Sequence, residues 1–195
     1  MGEVAELPLF PLATVLFPGG PLPLRVFETR YIDMVRRCLR AHGSFGVVWI
    51  RAGNETGAID ETAAVGTSAR IVDFDALPDG LLGLRCLGER RFRLLGRRQA
   101  PDGLHVGEVE WLPPEAQVPL PASLAHLADL LRTVLPQLGE LYANVPRQCD
   151  DAAWVGARLA ELLPIGLPEK QACLELDDPL ERLARLAPLI RRTGD

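Results

Sequence analysis

The chain has very little lysine, and its cysteines and histidines show no metal-binding spacing. Lys170 is the only lysine, so 20 of the 21 basic residues are arginine. The four cysteines form no C-x-x-C pair, and His42, His105 and His126 are scattered along the chain. This scatter argues against a zinc site and against a secreted disulfide framework. It predicts reduced thiols and no bound metal.

Long apolar runs and a targeting signal are also missing. No stretch reaches the ~18 consecutive apolar residues of a membrane span, and the N-terminus has no basic segment followed by a long apolar one. With 48% hydrophobic and 24% charged residues, the composition is typical of a globular protein. A net charge of −5 is unfavourable for nucleic acid in general, although a local basic stripe could still bind it. These features predict a soluble, cytoplasmic protein.

What the chain does have, close to its start, is an apolar ribbon rich in proline, LFPLATVLFPGGPLPLRVFETRY (9–31). Because proline cannot donate to a sheet ladder, any strands here are expected to be short or to lie at an edge. FPGG is a turn signal, since Pro18 presets φ and Gly19 or Gly20 can adopt a positive φ. The ribbon is predicted to form two short strands in the wall of a small β-barrel, with a stiff apolar flap as the alternative.

A helix and then a series of strands are predicted to follow. Apolar residues from Phe27 to Leu39 recur at helical spacing, and Gly43 is the expected C-terminal cap. FGVVWI (45–50) is predicted to be a buried strand, and further short strands alternate with turns such as LPDG (77–80). Short strands with regular turns favour a closed or nearly closed barrel.

The composition changes after the last of these strands. PPEAQVPLPAS (113–123) is a proline-rich linker, beyond which apolar residues recur at helical spacing. Ser123 is a candidate helix N-cap, and Asp178 is predicted to begin the last helix. The predicted fold class is therefore α+β, with a β-barrel subdomain at 1–115 and a helical subdomain at 116–195.

Six segments, taken in order, carry a resemblance to a known family. They are LPLFPLATVLFPGGPLPLRVFETRYIDMV (7–35), FGVV (45–48), VGTSARIVDF (65–74), LPDG (77–80), GERRFRLL (88–95) and LPIGLPEKQACLELDDPLERLARLAPLI (163–190). Together they resemble the N-terminal, substrate-binding domain of Lon proteases, and more closely the stand-alone bacterial proteins built from that domain. The resemblance spans nearly the whole chain. It implies a PUA-like β-barrel with a helix inserted early, a helical bundle after it, and recognition of polypeptide.

The catalytic parts of full-length Lon proteases are not expected in this chain. Their ATPase module needs a phosphate-binding loop, G-x-x-x-x-G-K-[ST], but Lys170 follows Pro168 and Glu169 without a glycine loop. Their protease module uses a Ser–Lys pair, and none of the three serines has a similar context. Lys170 is instead expected on a helix with its amine in solvent. The prediction is a binding protein with no catalytic residue and no cofactor.

Two features of the sequence are candidates for binding. In the first, an apolar groove beside the FPGG turn accepts an extended, unfolded polypeptide segment by strand addition. Core packing is the alternative for each of its residues, and Glu28 or Arg30 is a candidate to tie the helix to a loop. The candidate set is Leu16, Phe17, Pro18, Gly19, Gly20, Leu22, Leu24, Glu28 and Arg30.

The second feature is the arginine-rich stretch at 85–98, whose side chains could contact RNA phosphates and stack on bases. A solvated strand face is the alternative, because arginines alternate with apolar residues there. The candidate RNA-binding residues are Arg90, Arg91, Phe92, Arg93 and Arg97. The sequence thus predicts a non-catalytic adaptor or regulator that binds unfolded polypeptide or a protein partner, with RNA binding as the second hypothesis.

Overall fold

A computed structural model of the chain describes residues 2–55, 57, 59–143 and 145–191. They form an α+β structure with two compact units, one up to Pro113 and the other from Pro114 onward. Among the described residues, the strands and the first α-helix belong to the first unit, and four further α-helices belong to the second. None of the described helices is long and apolar enough to cross a bilayer. The mixed α+β class is as predicted.

The first unit contains one sheet, of seven strands within the described residues. They are β1 (Val4–Leu12), β2 (Pro21–Val26), β3 (Phe45–Gly53), β4 (Ile59–Thr62), β5 (Val65–Ala76), β6 (Leu82–Gln99) and β7 (His105–Trp111). The order is β1–β7–β6–β5–β3–β4, with β2 paired to β6 and with β1 also parallel to β3. The pairings therefore lead from β1 through β7, β6, β5 and β3 back to β1.

Turn chemistry places the short strands as the sequence predicts. In FPGG, the Gly20 N–H donates to the Phe17 carbonyl at 3.0 Å, and Gly19 has a φ of 71°. In LPDG, the Gly80 N–H donates to the Leu77 carbonyl at 2.9 Å. Both predicted turns are confirmed, and they fix the ends of β2, β5 and β6.

Helix α1 (Thr29–Ala41) covers the core of the first unit, but its predicted ends were wrong. Tyr31 is buried and stacks on Phe10 of β1, with ring centroids 3.9 Å apart. Phe27 lies between β2 and the helix and is 56% exposed. The left-handed residue at the other end is His42, not Gly43, which instead donates its N–H to the Cys38 carbonyl at 2.9 Å.

The second unit consists of short helices. They are α2 (Ala125–Val134), α3 (Ala152–Leu162), α4 (Leu167–Glu175) and α5 (Pro179–Arg191), with 3₁₀ turns at Ala122–Leu124 and Leu135–Tyr142. Asp178 begins α5 as predicted, since its carboxylate accepts the Leu180 N–H at 2.8 Å. Ser123 is not an N-cap, because the carbonyl of Pro121 starts a 3₁₀ turn that includes it.

Lys170 lies on α4 as predicted, but its amine is not simply in solvent. Its Nζ donates to the backbone carbonyl of Glu161 at 2.6 Å. Burial lowers the pKa of this amine. The side chain therefore joins α4 to the end of α3, which the sequence pattern did not indicate.

Candidate functional site

Four of the nine residues predicted for peptide binding are buried in the interior of the first unit, and the other five are half-buried. Leu16, Phe17 and Leu22 are buried, and Leu24 is half-buried. The Oγ1 of Thr67 donates to the Leu16 carbonyl at 2.6 Å. This part of the ribbon is thus held by its backbone and packs into the core, so it offers little side-chain surface to a partner.

The turn itself approaches β6 closely. Gly19 donates to the carbonyl of Gly88 at 2.8 Å, and Gly88 donates to the carbonyl of Gly20 at 2.9 Å. A side chain at Gly88 would place its Cβ 2.2 Å from the Phe17 carbonyl oxygen. Pro18 and Gly19 are only half-buried, whereas Gly20 is buried. The turn is therefore fastened to the sheet at this point.

Glu28 and Arg30 connect the start of α1 to a loop. The Arg30 guanidinium lies 2.8 Å from the Glu28 carboxylate and donates to the Gly103 carbonyl at 3.1 Å. It also lies 4.8 Å from the centroid of the Tyr31 ring, within the range of a cation–π contact. Both side chains thus have structural partners inside the first unit.

A groove lies where β2, β6 and β5 run side by side. Cross-strand register places Arg25, Gly83 and Asp75 in one row, and Pro23 and Arg85 in the next. Residues directly opposite each other share a face of a sheet. The opposite face carries buried side chains such as those of Leu22 and Leu84. The groove therefore lies on the outer face of these strands.

This β2 groove has a volume of about 680 Å³, and residues that shape it include Pro23, Arg25, Asp75, Leu77, Asp79 and Gly83. Gly83 forms its floor, since a Cβ there would lie 2.9 Å from Leu77 Cδ2. Leu77 belongs to the LPDG turn, so the hairpin between β5 and β6 forms one side of the groove. Of the predicted peptide-binding residues, Leu24 lines it.

The backbone of β2 has a free edge next to this groove. Among the described strands, β2 pairs only with β6. Because the Gly20 carbonyl points towards β6, antiparallel alternation turns the backbone groups of Pro21, Pro23 and Arg25 away from it. Proline has no N–H, so the outward edge offers carbonyl acceptors at Pro21 and Pro23 without matching donors. Full strand addition, as the sequence suggested, lacks half of its hydrogen bonds at these two positions.

Charged side chains surround the groove. Arg25 forms an ion pair with Asp79, and Arg85 forms one with Asp73 and lies 3.3 Å from Asp75. A hydrogen bond from the Leu81 N–H, together with Arg25, lowers the pKa of Asp79. The hydrogen bond from Arg85 lowers that of Asp73. These two carboxylates are therefore ionised at neutral pH.

The residues predicted for RNA binding do not lie on one face. Arg90 and Arg93 are exposed, but Arg91 is 3% exposed and Phe92 is fully buried. The cause is a bulge: β6 advances three residues from Gly88 to Arg91 while β5 advances two. An extra residue shifts the alternation of side chains on the bulged strand. The simple in–out pattern that the sequence suggested therefore breaks at Arg90.

The exposed and half-buried arginines of this stretch already have partners. Arg93 lies 3.5 Å from Glu110, and Arg98 lies 2.9 Å from Glu6. Arg90 lies 4.6 Å from the centroid of the Trp111 ring. Arg97 donates to the Ile59 carbonyl at 2.7 Å. Glutamates of β7 and β1 thus pair with two of the arginines on β6, Arg93 and Arg98.

The structure places no group of three or more histidine, cysteine, aspartate or glutamate side chains close enough to hold a metal ion, within the residues it describes. The four cysteines are free thiols, and three of them are buried. Burial raises the pKa of Cys86 to about 12 and also raises that of Cys38. These thiols are therefore protonated at neutral pH and poor nucleophiles.

Sequence reasoning missed the groove because its parts come from distant segments. The LPDG turn and the strand at β2 each have a local signal. The pairing of Pro21–Val26 with Leu82–Leu87 has none, because it joins segments far apart in the chain. A spacing of prolines at alternate positions, Pro21 and Pro23, was the one available hint that β2 is an edge strand.

Comparisons with known proteins cover nearly the whole chain. A family model described as the ATP-dependent protease La (LON) substrate-binding domain matches residues 6–192. A solved Lon N-terminal domain protein from Xanthomonas campestris is 44% identical, with a TM-score of 0.78, and the match covers 94% of this chain and 98% of that one. The solved N-terminal domain of a Mycobacterium avium complex Lon protease, 18% identical, shares the fold with a TM-score of 0.64 over 93% and 96% of the two chains.

A curated relative shows how much of a longer protein the match represents. Lon protease 2 of Myxococcus xanthus is 32% identical over 195 residues, which is 95% of this chain and 23% of the relative. The chain therefore spans less than a quarter of the length of that relative.

Proposed function

The chain belongs to the LON substrate-binding domain family, and from that membership we propose that it binds extended or unfolded polypeptide segments without catalysing a reaction on them. The observation that carries the proposal is the β2 groove. Its volume of about 680 Å³ lies in the range of ligand sites, which is about 300–1,000 Å³. It is open, it lies on an outer face, and it adjoins a free strand edge.

The shape of the groove suits an extended chain better than a folded domain. The Leu77 side chain covers its floor at Gly83, and Leu77 and Pro78 at the hairpin supply apolar contact. A strand lying along the outer edge of β2 would donate its N–H groups to the carbonyls of Pro21 and Pro23. Apolar pockets with a few backbone contacts are one way in which extended peptides are recognised.

The remaining parts of the proposal rest on the family and on chemistry. The role is that of an adaptor or regulator, and the first unit is a PUA-like barrel, which the circuit of pairings from β1 back to β1 supports. A cytoplasmic location is supported by the four free cysteines, since thiols stay reduced in that compartment.

RNA binding through the arginine-rich stretch stays the second hypothesis from the sequence. The burial of Arg91 and Phe92 and the glutamate partners of Arg93 and Arg98 count against it. Phosphate contacts need cationic side chains that are free to replace counterions. Arginines already matched by carboxylates are less available for that exchange.

Filling the floor of the β2 groove tests the proposal. Gly83→Val places a branched side chain where Leu77 now lies, and the flexible end of Leu77 can move aside without disturbing the core. We expect the affinity for an unfolded model polypeptide, measured by fluorescence anisotropy, to fall about tenfold, which corresponds to about 1.4 kcal/mol.

Gly96→Val is the matched control, because Gly96 is on the same strand and a Cβ there meets nothing within 4 Å. It should bind as the wild type does. Equal affinity of the Gly83→Val variant and the control would contradict the groove as the binding site. Absence of binding by the wild-type chain would contradict the function itself.

A further inference from the structure

We propose that the β2 groove selects polypeptide segments in which basic side chains alternate with apolar ones. This inference rests on the proposed function, because it names the class of segment that the same site takes. Three features of the site support it: the hydrogen-bonding groups on the edge of β2, the balance of charge around the groove, and the apolar contacts at its floor and side.

The edge of β2 attracts donors and rejects acceptors. Its carbonyls at Pro21 and Pro23 face outward, while the nitrogens of both residues carry no hydrogen. A partner that lies along this edge can donate N–H groups, but its own carbonyls find no donor opposite these two prolines. The edge therefore offers only acceptors at these two positions, and lysine and arginine side chains, which have donors only, complement it.

The charged side chains in and beside the groove also favour a basic partner. Asp75 and Asp79 line the groove together with Arg25 and Arg85. Asp73 lies beside the groove as a second carboxylate partner of Arg85. Arg85 is shared between Asp73 and Asp75, so the Asp75 carboxylate is only partly neutralised. Side-chain exposures of 61% for Asp75 and 42% for Asp79 leave both within reach of a partner. A cationic side chain gains attraction here, whereas a carboxylate meets repulsion.

The apolar part of the site lies between these charges. Leu77 covers the glycine floor, and Pro23 is exposed beside it. Side chains of an extended segment alternate between two faces, with a period of two residues. A segment with apolar residues on one face and basic residues on the other can place the first set on Leu77 and Pro23 and the second near the aspartates.

Two short, unstructured peptides test the inference by fluorescence anisotropy on the full chain. Both carry the same alternating apolar residues, with lysine between them in one peptide and glutamate in the other. We expect the lysine peptide to bind about fivefold more tightly, as a few exposed ion pairs allow. The preference should shrink as salt is added, because salt screens exposed charges.

A local variant separates the groove from the net charge of the chain. Asp75→Asn removes one carboxylate from the groove, and Asp129→Asn removes a similarly exposed one from the second unit. We expect Asp75→Asn to reduce the preference for lysine about twofold, and Asp129→Asn to leave it as in the wild type. An equal effect of the two variants would overturn the inference.

A third variant tests the edge itself. Pro23→Ala restores an outward N–H, which gives a partner carbonyl a donor, so both peptides should bind more tightly while their ratio falls. No change in either affinity would overturn the part that the edge plays. If both peptides bind the wild type equally, the proposed selectivity is wrong while the proposed function stands. If neither peptide binds, the proposed selectivity and the proposed function are both wrong.

Discussion

In the first unit most arginines lie on the outside of the sheet in exposed ion pairs, whereas two arginines of the second unit are completely buried. Arg70 pairs with Glu89 and Arg98 with Glu6, and all four side chains are between 37% and 67% exposed. The side chains of Arg158 and Arg182 have no exposed surface. The interior of the small second unit thus contains two fully buried guanidiniums among its apolar side chains, whereas Arg70 and Arg98 of the first unit stay at its surface.

Arg182 shows how a charge can be accommodated inside the second unit. Its guanidinium donates to both carboxylate oxygens of Glu115, at 2.7 and 2.6 Å, in a bidentate pair. Its Nε donates to the Cys173 carbonyl at 2.8 Å, and Nη2 donates to the Leu176 carbonyl at 3.0 Å. One side chain of α5 therefore fastens the end of α4 and the proline-rich segment before α2.

The structure gives a physical reason for an arginine at position 182. Five donors in a fixed planar fork match a carboxylate and two carbonyls at once, which lysine cannot do. Arginines that look alike in the sequence therefore have different roles in the two units. The exposed ones form ion pairs on the surface, and the buried ones hold helices together.

The largest expected effect is that of Arg182→Met. It keeps side-chain volume but removes the bidentate ion pair with the Glu115 carboxylate, which is 11% exposed, so we expect a loss of about 3–5 kcal/mol in the free energy of unfolding. Chemical denaturation followed by helical circular dichroism measures it. Arg98→Met, on the exposed face of the sheet, should cost under about 1 kcal/mol.

Equal losses of stability in the Arg182→Met and Arg98→Met variants would contradict the difference between buried and exposed arginines. Arg182→Lys separates charge from geometry, because lysine retains the charge and loses the bidentate pair. We expect its stability to lie between those of the wild type and Arg182→Met.

The stability of the first unit is expected to be sensitive to added side-chain volume where backbones pack closely. Gly88→Ala tests this. The added Cβ would lie 2.2 Å from the Phe17 carbonyl oxygen, which is backbone and cannot move aside freely. We expect a loss of about 1–3 kcal/mol, the usual range for overpacking. Gly96→Ala on the same strand meets nothing within 4 Å and should be close to neutral in the same denaturation experiment. A neutral Gly88→Ala would mean that the FPGG turn is less tightly fastened to β6 than the structure shows.

The sequence predicted the turns, the mixed class and the start of α5, because each has a local chemical signal. The FPGG and LPDG turns and the helix start at Asp178 depend only on residues next to them in the sequence. It did not predict that Arg91 is buried, since a bulge in β6 depends on pairing with β5. Nor did it predict the hydrogen bond from Lys170 to Glu161, which depends on the packing of α4 against α3. The β2 groove was not predicted either, since its parts are distant in the chain. Four of the nine binding residues proposed from the apolar ribbon and the start of α1 are buried, because apolar patterning indicates burial before it indicates a surface.

The smallest expected effect concerns His105, which is an ionisable group buried in the first unit, at the start of β7. Burial, with Arg97 and Arg30 nearby, lowers its pKa. In the unfolded chain it titrates near the ordinary value of about 6.5, so the unfolded state takes up the proton first as the pH falls. Protonation therefore favours unfolding, and stability should decline as the pH drops below that value. His105→Asn removes this proton-binding group, so its free energy of unfolding should fall less between neutral and mildly acidic pH than that of the wild type. The same acid-side decline in both proteins would assign the pH dependence to other groups.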